Sequence, residues 1–154
     1  MRARVLVTAA LSVFLAAHAG LAVSVADLAE RADFSAVKAA LAAGADAKAV
    51  QPDGTTALHW AAQHNEETVV AALLSAGAVA DAVNRYGVAP LSLACVNGSA
   101  AVAARLLAAG ADPNRPALGG ETPLMTAARS GREALVRALI ARGADVNARL
   151  PGGG

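Results

Sequence analysis

A glycine–alanine pair recurs along this chain at Gly44-Ala45, Gly77-Ala78, Gly110-Ala111 and Gly143-Ala144, and the spacing is 33 residues each time. Aspartate follows in three copies (Asp46, Asp112, Asp145), with Val79 in the remaining one. Two further markers keep the same period: Gly54, Gly87, Gly120 and Leu58, Leu91, Leu124. Independent markers in one register leave little room for coincidence. A fixed period of this length is the signature of a linear array, whose units cannot bury their apolar faces alone and stack to do so. Such a chain folds as a solenoid in which each unit touches only its neighbours.

The residues inside one period describe its local structure. Thr122-Pro123 opens a helix, because threonine caps free amides and proline at the first helical turn lacks the donor that would be orphaned there. This first helix is short and is expected to end near Asn65, Gly98 or Gly131, residues that tolerate the left-handed conformation that stops a helix. A second helix carries apolar residues at helical spacing: Val69, Val70, Leu73 and Leu74 in one copy, Leu135, Val136, Leu139 and Ile140 in another. Gly77, Gly110 and Gly143 cap its end, and the turn residues beyond them are expected to project as a finger toward the next unit. Composition agrees: 56% of residues are hydrophobic but only 3% aromatic, so the apolar content is mostly alanine, leucine and valine, which suits closely packed helices.

These residues resemble the ankyrin repeat. Asp53-Gly54-Thr55-Thr56-Ala57-Leu58-His59-Trp60-Ala61-Ala62 is similar to the family's opening motif, as are Tyr86-Gly87-Val88-Ala89-Pro90-Leu91-Ser92-Leu93-Ala94-Cys95 and Gly119-Gly120-Glu121-Thr122-Pro123-Leu124-Met125-Thr126-Ala127-Ala128. Asp112-Pro113-Asn114 and Asp145-Val146-Asn147 match its closing motif. The resemblance covers residues 27–154 and implies an all-α ankyrin-repeat solenoid of helix-turn-helix units with short β-hairpin-like fingers. The units run at about 27–51, 52–84, 85–117 and 118–150. The first departs from the pattern, since Val25 stands where Leu58 would be without a preceding Thr-Pro-Leu-His motif; it reads as an N-terminal capping repeat without its finger. Pro151-Gly152-Gly153-Gly154 stands where a fifth finger would begin, so the helix of Leu135 to Ile140 is expected to have no later repeat over it.

Residues 1–19 read as a signal peptide. Arg2 and Arg4 precede an apolar run of 13 residues from Val5 to Ala17, too short for a membrane span, which needs about 20, and suited to the core of a secretory signal. Ala17-His18-Ala19 is a small-x-small site for a cut before Gly20, with Ala22 and Ala26 as later candidates. The expected location is periplasmic or secreted, with no stable membrane anchor after signal cleavage. The chain without this segment has eleven basic and twelve acidic residues, a balance that gives no support for nucleic-acid binding and predicts weak electrostatic steering.

The chemistry-bearing residues do not assemble into a catalytic pattern. Cys95, the single cysteine, reads as a small buried hydrophobe. His59 stands in the Leu-His pair, which in the resembling family hydrogen-bonds between neighbouring loops. The histidines and the cysteine lack a zinc-ligand spacing, and no nucleophile elbow, zinc-protease motif or P-loop occurs. Asn97-Gly98-Ser99 forms a glycosylation sequon but reads as the turn between helices. No catalytic, cofactor or metal site is assigned. The resemblance instead implies a monomeric scaffold that binds another protein through its concave side, made of finger tips and first helices. By register the fingers supply Pro52, Asp53, Thr55, Arg85, Tyr86, Val88, Leu118 and Glu121. The helices supply Trp60, Gln63, His64, Val96, Asn97, Thr126, Arg129 and Ser130. Trp60, Arg85 and Tyr86 are the expected anchors, because interfaces favour Trp, Tyr and Arg; Trp60 reads equally well as a helix-packing residue. The alternatives are an inhibitor or accessory subunit of an exported enzyme, and the N-terminal part of a longer multidomain protein.

Overall fold

The computed structural model describes residues 23–152; the expected signal peptide, 1–19, and the cleavage candidate at Ala22 lie outside the described residues. Eight helices occur among the described residues: α1 (Val25–Glu30), α2 (Phe34–Ala42), α3 (Ala57–Gln63), α4 (Glu67–Ser75), α5 (Pro90–Asn97), α6 (Ala100–Ala108), α7 (Pro123–Arg129) and α8 (Glu133–Ala141). They pair as α1–α2, α3–α4, α5–α6 and α7–α8, and the pairs stack in chain order. The first helices form one row, α1 on α3 on α5 on α7, and the second helices another, α2 on α4 on α6 on α8. Among the described residues the fold is an all-α repeat solenoid, the linear array that the 33-residue period predicts and the helical class that the resemblance implies.

The rows meet through residues that share a register. Leu73, Leu106 and Leu139 on the second helices are fully buried, as are Val69, Val102 and Leu135 one turn earlier. Each such side chain contributes about 1.5–3 kcal/mol by leaving water. On the first helices the shared contact is alanine: Ala61, Ala94 and Ala127 are all buried, and their small volume lets neighbouring helices approach. Cys95 is buried as well, and burial pushes its thiol up to about 12.

Helix ends follow the sequence signals. The hydroxyls of Thr56 and Thr122 accept from the amides of His59 and Met125, while α5 opens on Pro90 with no side-chain cap. The turn between helices places Ala32, Asn65, Gly98 and Gly131, one register position, at φ of 56°, 58°, 68° and 65°. Alanine there is strained, since the left-handed region costs an L-residue roughly 1–2 kcal/mol. The first unit also begins ahead of the boundary at 27. Ser24 caps α1 in a reciprocal pair: its hydroxyl accepts from the Asp27 amide at 3.1 Å, and the Asp27 carboxylate accepts from the Ser24 amide at 3.0 Å. That pair holds the Asp27 carboxyl below its usual range, and Val25 and Ala26, the first residues of the helix it caps, are buried.

The fingers are narrow turns closed at the same register by Gln51 N to Thr55 O at 2.8 Å, Asn84 N to Val88 O at 3.1 Å, and Ala117 N to Glu121 O at 2.9 Å, and in each the tip glycine amide (Gly54, Gly87, Gly120) donates back to the Gln51, Asn84 or Ala117 oxygen. Gly54 sits at a tip with φ +83°, and a Cβ there would stand 3.3 Å from the Cα of Asn84 in the next finger. Both the dihedral and the close approach require glycine.

Candidate protein-binding face

The fingers of Gln51–Thr55 and Asn84–Val88 are joined by hydrogen bonds. The Arg85 amide donates to Asp53 O at 2.8 Å, and His59 spans the same gap. Its Nδ1 accepts from the Thr56 amide at 3.1 Å, and its Nε2 lies 3.0 Å from Val88 O. Because Nδ1 must accept, the proton sits on Nε2 and is donated to Val88 O of the following finger. Burial pushes the His59 pKa below its ordinary value, which keeps the ring in this neutral form. The loop-bridging role implied by the sequence is therefore present, and His59 is part of the scaffold.

Two amide side chains at one register position brace the fingers, Gln51 against the first helices and Asn84 against the preceding finger and its own. Gln51 accepts from Trp60 Nε1 at 2.9 Å and donates to Glu30 Oε2 at 2.7 Å and Asp27 Oδ1 at 3.3 Å. Asn84, 33 residues later, donates to Thr55 Oγ1 at 3.2 Å and accepts from the amides of Tyr86 and Val88 at 3.1 Å each. These contacts bring finger and first helix onto one face. The same is true in the last unit, where Arg129 pairs with Glu121 at 2.9 Å. The sequence reading missed Gln51 and Asn84, although a carboxamide repeated at one register position was visible in it.

Most expected contact residues are accessible, but several are already engaged. Thr55 is a correction: it is only 6% exposed, because its hydroxyl turns inward to Asn84 instead of outward from the finger. Trp60 is half-buried against the core, its indole N–H held by Gln51, so packing is its main role. Asn97 is exposed, but its amide donates to the carbonyls of Ala62 at 3.2 Å and Gln63 at 2.7 Å, which ties α5 to the end of α3. His64 lies edge-on to Phe34, ring centroids 5.5 Å apart. Val88 is half-buried with its backbone bonded on both sides. Pro52, Gln63 and Ser130 are exposed, and Asp53 and Thr126 are half-buried. The Thr55 amide, donating to Asp53, holds that carboxyl below its usual range.

The accessible centre of the face is apolar. Tyr86 is 49% exposed, Val96 67% and Leu118 74%. Arg85 lies beside Tyr86, its guanidinium donating to the phenol oxygen at 2.8 Å and standing 5.0 Å from the ring centroid. Leu118, on the next finger, lies against Gly87, where a Cβ would be 3.1 Å from its Cγ. Tyr86 and Leu118 thus stand on neighbouring fingers. The second-helix row has a different character: its shallow hollow is lined by Ala71, Leu74, Ser75, Arg105, Ala108 and Ala109, chiefly small side chains.

Comparison with protein families matches residues 26–117 to ankyrin repeats, in three copies, and residues 119–149 to a further ankyrin repeat. The chain belongs to the ankyrin repeat family. No curated protein matches it. Ankyrin repeats are generally protein–protein interaction modules, and proteins built from them are typically scaffolds without enzymatic activity. Among the described residues no group of three or more His, Cys, Asp or Glu side chains could hold a metal ion, and no helix is long and apolar enough to cross a membrane.

One property of this ankyrin array corrects the expectation of weak electrostatics. Residues 23–84 carry three basic and eight acidic side chains, whereas residues 85–152 carry eight basic and four acidic. In a compact fold such halves would intermingle. In a linear stack they stay apart, so a near-neutral total conceals an acidic half, with most of its excess in residues 52–84, and a basic half. Glu67–Arg105 at 2.8 Å and Asp81–Arg115 pair across the junction. Counting charge by unit instead of by chain would have revealed it.

Proposed function

We propose that this protein is an exported interaction scaffold that holds a protein partner against its fingers and first helices. The observation that carries this reading is a contrast within the chain. Packing positions repeat: Leu73, Leu106 and Leu139 are one residue type in one register, all buried. Face positions do not: Pro52, Arg85 and Leu118 share a register, as do Gln63, Val96 and Arg129, and each set is accessible and chemically mixed. Exposed Tyr86 and Leu118, with Arg85 beside them, have the composition favoured in interface centres, where large aromatic and Arg side chains dominate the energy.

Export rests on the basic start, the apolar run and the small-residue site at Ala17-His18-Ala19. A cut before Gly20 leaves the Ser24 cap and the buried pair Val25 and Ala26 in place. A cut after Ala26 removes all three, so maturation before Ser24 is the version compatible with a folded first unit.

Site-specific photocrosslinking tests the binding reading. A benzophenone side chain at position 86 or 118 is expected to capture one partner from extracts of the producing cells. The same group at Ala104, exposed on α6, is expected to capture none. Crosslinks confined to position 104 would move the interface to the second-helix row and overturn the proposal.

A further inference from the structure

The charge split is not confined to the sides of the stack; it runs across the proposed binding face. One column of exposed first-helix positions reads Glu30, Gln63, Val96, Arg129, each 33 residues from the last. Asp27 lies beside its acidic end, and the Asp27 and Glu30 carboxylates both accept from the Gln51 amide. The centre is apolar, formed by Tyr86, Val96 and Leu118. Arg85 and Arg129 stand over the basic half, and Arg129 is 70% exposed despite its pairing with Glu121.

We propose that the face takes an extended protein segment that is polarised in charge, with Lys or Arg at one end, apolar side chains in the middle and Asp or Glu at the other. This rests on the binding reading above and specifies its partner. Neighbouring packed helices lie about 8–10 Å apart, so Glu30 and Arg129, three steps apart, are separated by about 27 Å. An extended chain rises about 3.3 Å per residue, which makes the segment about eight or nine residues long. Its basic end lies over Asp27 and Glu30, its apolar centre meets Tyr86, Val96 and Leu118, and its acidic end meets Arg129. A uniformly charged segment would face repulsion at one end wherever it lay. Complementary charge of this kind acts mainly on partner choice and on the rate of encounter.

The test uses the full mature chain and three synthetic nonapeptides with blocked termini and a common serine–leucine–tyrosine–leucine–serine centre. One has two lysines at one end and two glutamates at the other; the second has lysines at both ends; the third has glutamates at both. The mixed peptide is expected to bind about tenfold more tightly than either uniform one in low salt, with the gap shrinking as salt rises. Glu30→Lys combined with Gln63→Lys alters only exposed positions and is expected to shift preference to the all-glutamate peptide. Arg129→Glu is expected to shift it to the all-lysine peptide, and thermal melts confirm that both variants fold. Equal affinity for the three peptides, binding of none, or no change of preference in either variant overturns the inference. Such results leave the scaffold reading intact if position 86 still crosslinks its partner, whereas crosslinks only at position 104 sink both.

Discussion

The second-helix row and the finger edge obey one period and use it in opposite ways. Along the row the last three units put leucine at one position, Leu73, Leu106 and Leu139, each fully buried, and the first unit puts the small Ala40 there, buried as well. Along the edge the tip position is Asp53, then Tyr86, then Gly119, and what is held constant is backbone geometry: a glycine one residue later with positive φ, and the same closing bonds in each finger. A stacked array needs apolar packing at the same positions in every unit, because each unit is the other's core. It needs only a repeated backbone at the fingers, which leaves their side chains free to differ.

The contrast is sharpened first on its costly side. Leu73→Ala is expected to lose about 2–5 kcal/mol, because Leu73 is enclosed and the cavity cannot collapse between two stacked helices. Urea titration measures it; a loss below 1 kcal/mol would mean the row is loosely packed. Gly54→Ala comes next, at about 1–3 kcal/mol. It combines a left-handed φ with a Cβ held 3.3 Å from the Asn84 backbone. If that variant melted with the unmodified protein, the finger edge would not be a rigid support.

Acidification acts on the same edge through His59. Its folded pKa lies below the ordinary 6.5, so the unfolded chain takes up the proton first. The stability it contributes is complete above about pH 6.5 and is lost as pH falls through the lower folded value. Protonation would turn Nδ1 into a donor facing the Thr56 amide. Denaturation midpoints at pH 7.5 and 5.5 are expected to fall with acidification, and to fall less in His59→Gln. An equal fall in both would place the sensitivity elsewhere. The smallest effect is a gain: Ala32→Gly relieves the one alanine held in the left-handed turn and is expected to add about 0.5–1 kcal/mol. A loss in melting temperature would show that the Ala32 methyl packs better than its dihedral suggests.

Much of this was legible in the sequence, for a physical reason. A repeat array is held by nearest-neighbour contacts, so period and packing residues can be read from one copy and transferred to the others. Leu73 and Gly54 were visible in that way, as was the loop bridge of His59 once the resemblance was recognised. Side-chain orientation at the face was not legible. Thr55 shares a finger with Asp53, but its hydroxyl finds Asn84 and turns inward. Trp60 is drawn down by Gln51 and the core, and Asn97 is spent on two carbonyls of the preceding unit. These outcomes depend on which polar partner lies within reach, nine residues away for Trp60 and 29 to 35 residues away for Thr55 and Asn97, which register alone does not specify. The Ser24 cap, one residue off the register of Thr56, was missed because the first unit breaks the pattern it was compared with.

The central claim is that stability lies in the repeated row and recognition in the variable edge, so the two can be separated by mutation. The most direct measurement pairs melting with affinity for the partner captured at position 86, in Tyr86→Ala and Leu73→Ala. Tyr86→Ala is expected to change stability by less than about 0.5 kcal/mol and to weaken binding by about 2 kcal/mol, roughly thirtyfold. Leu73→Ala is expected to bind normally wherever it remains folded. Normal binding by Tyr86→Ala, or weakened binding by fully folded Leu73→Ala, would contradict the account.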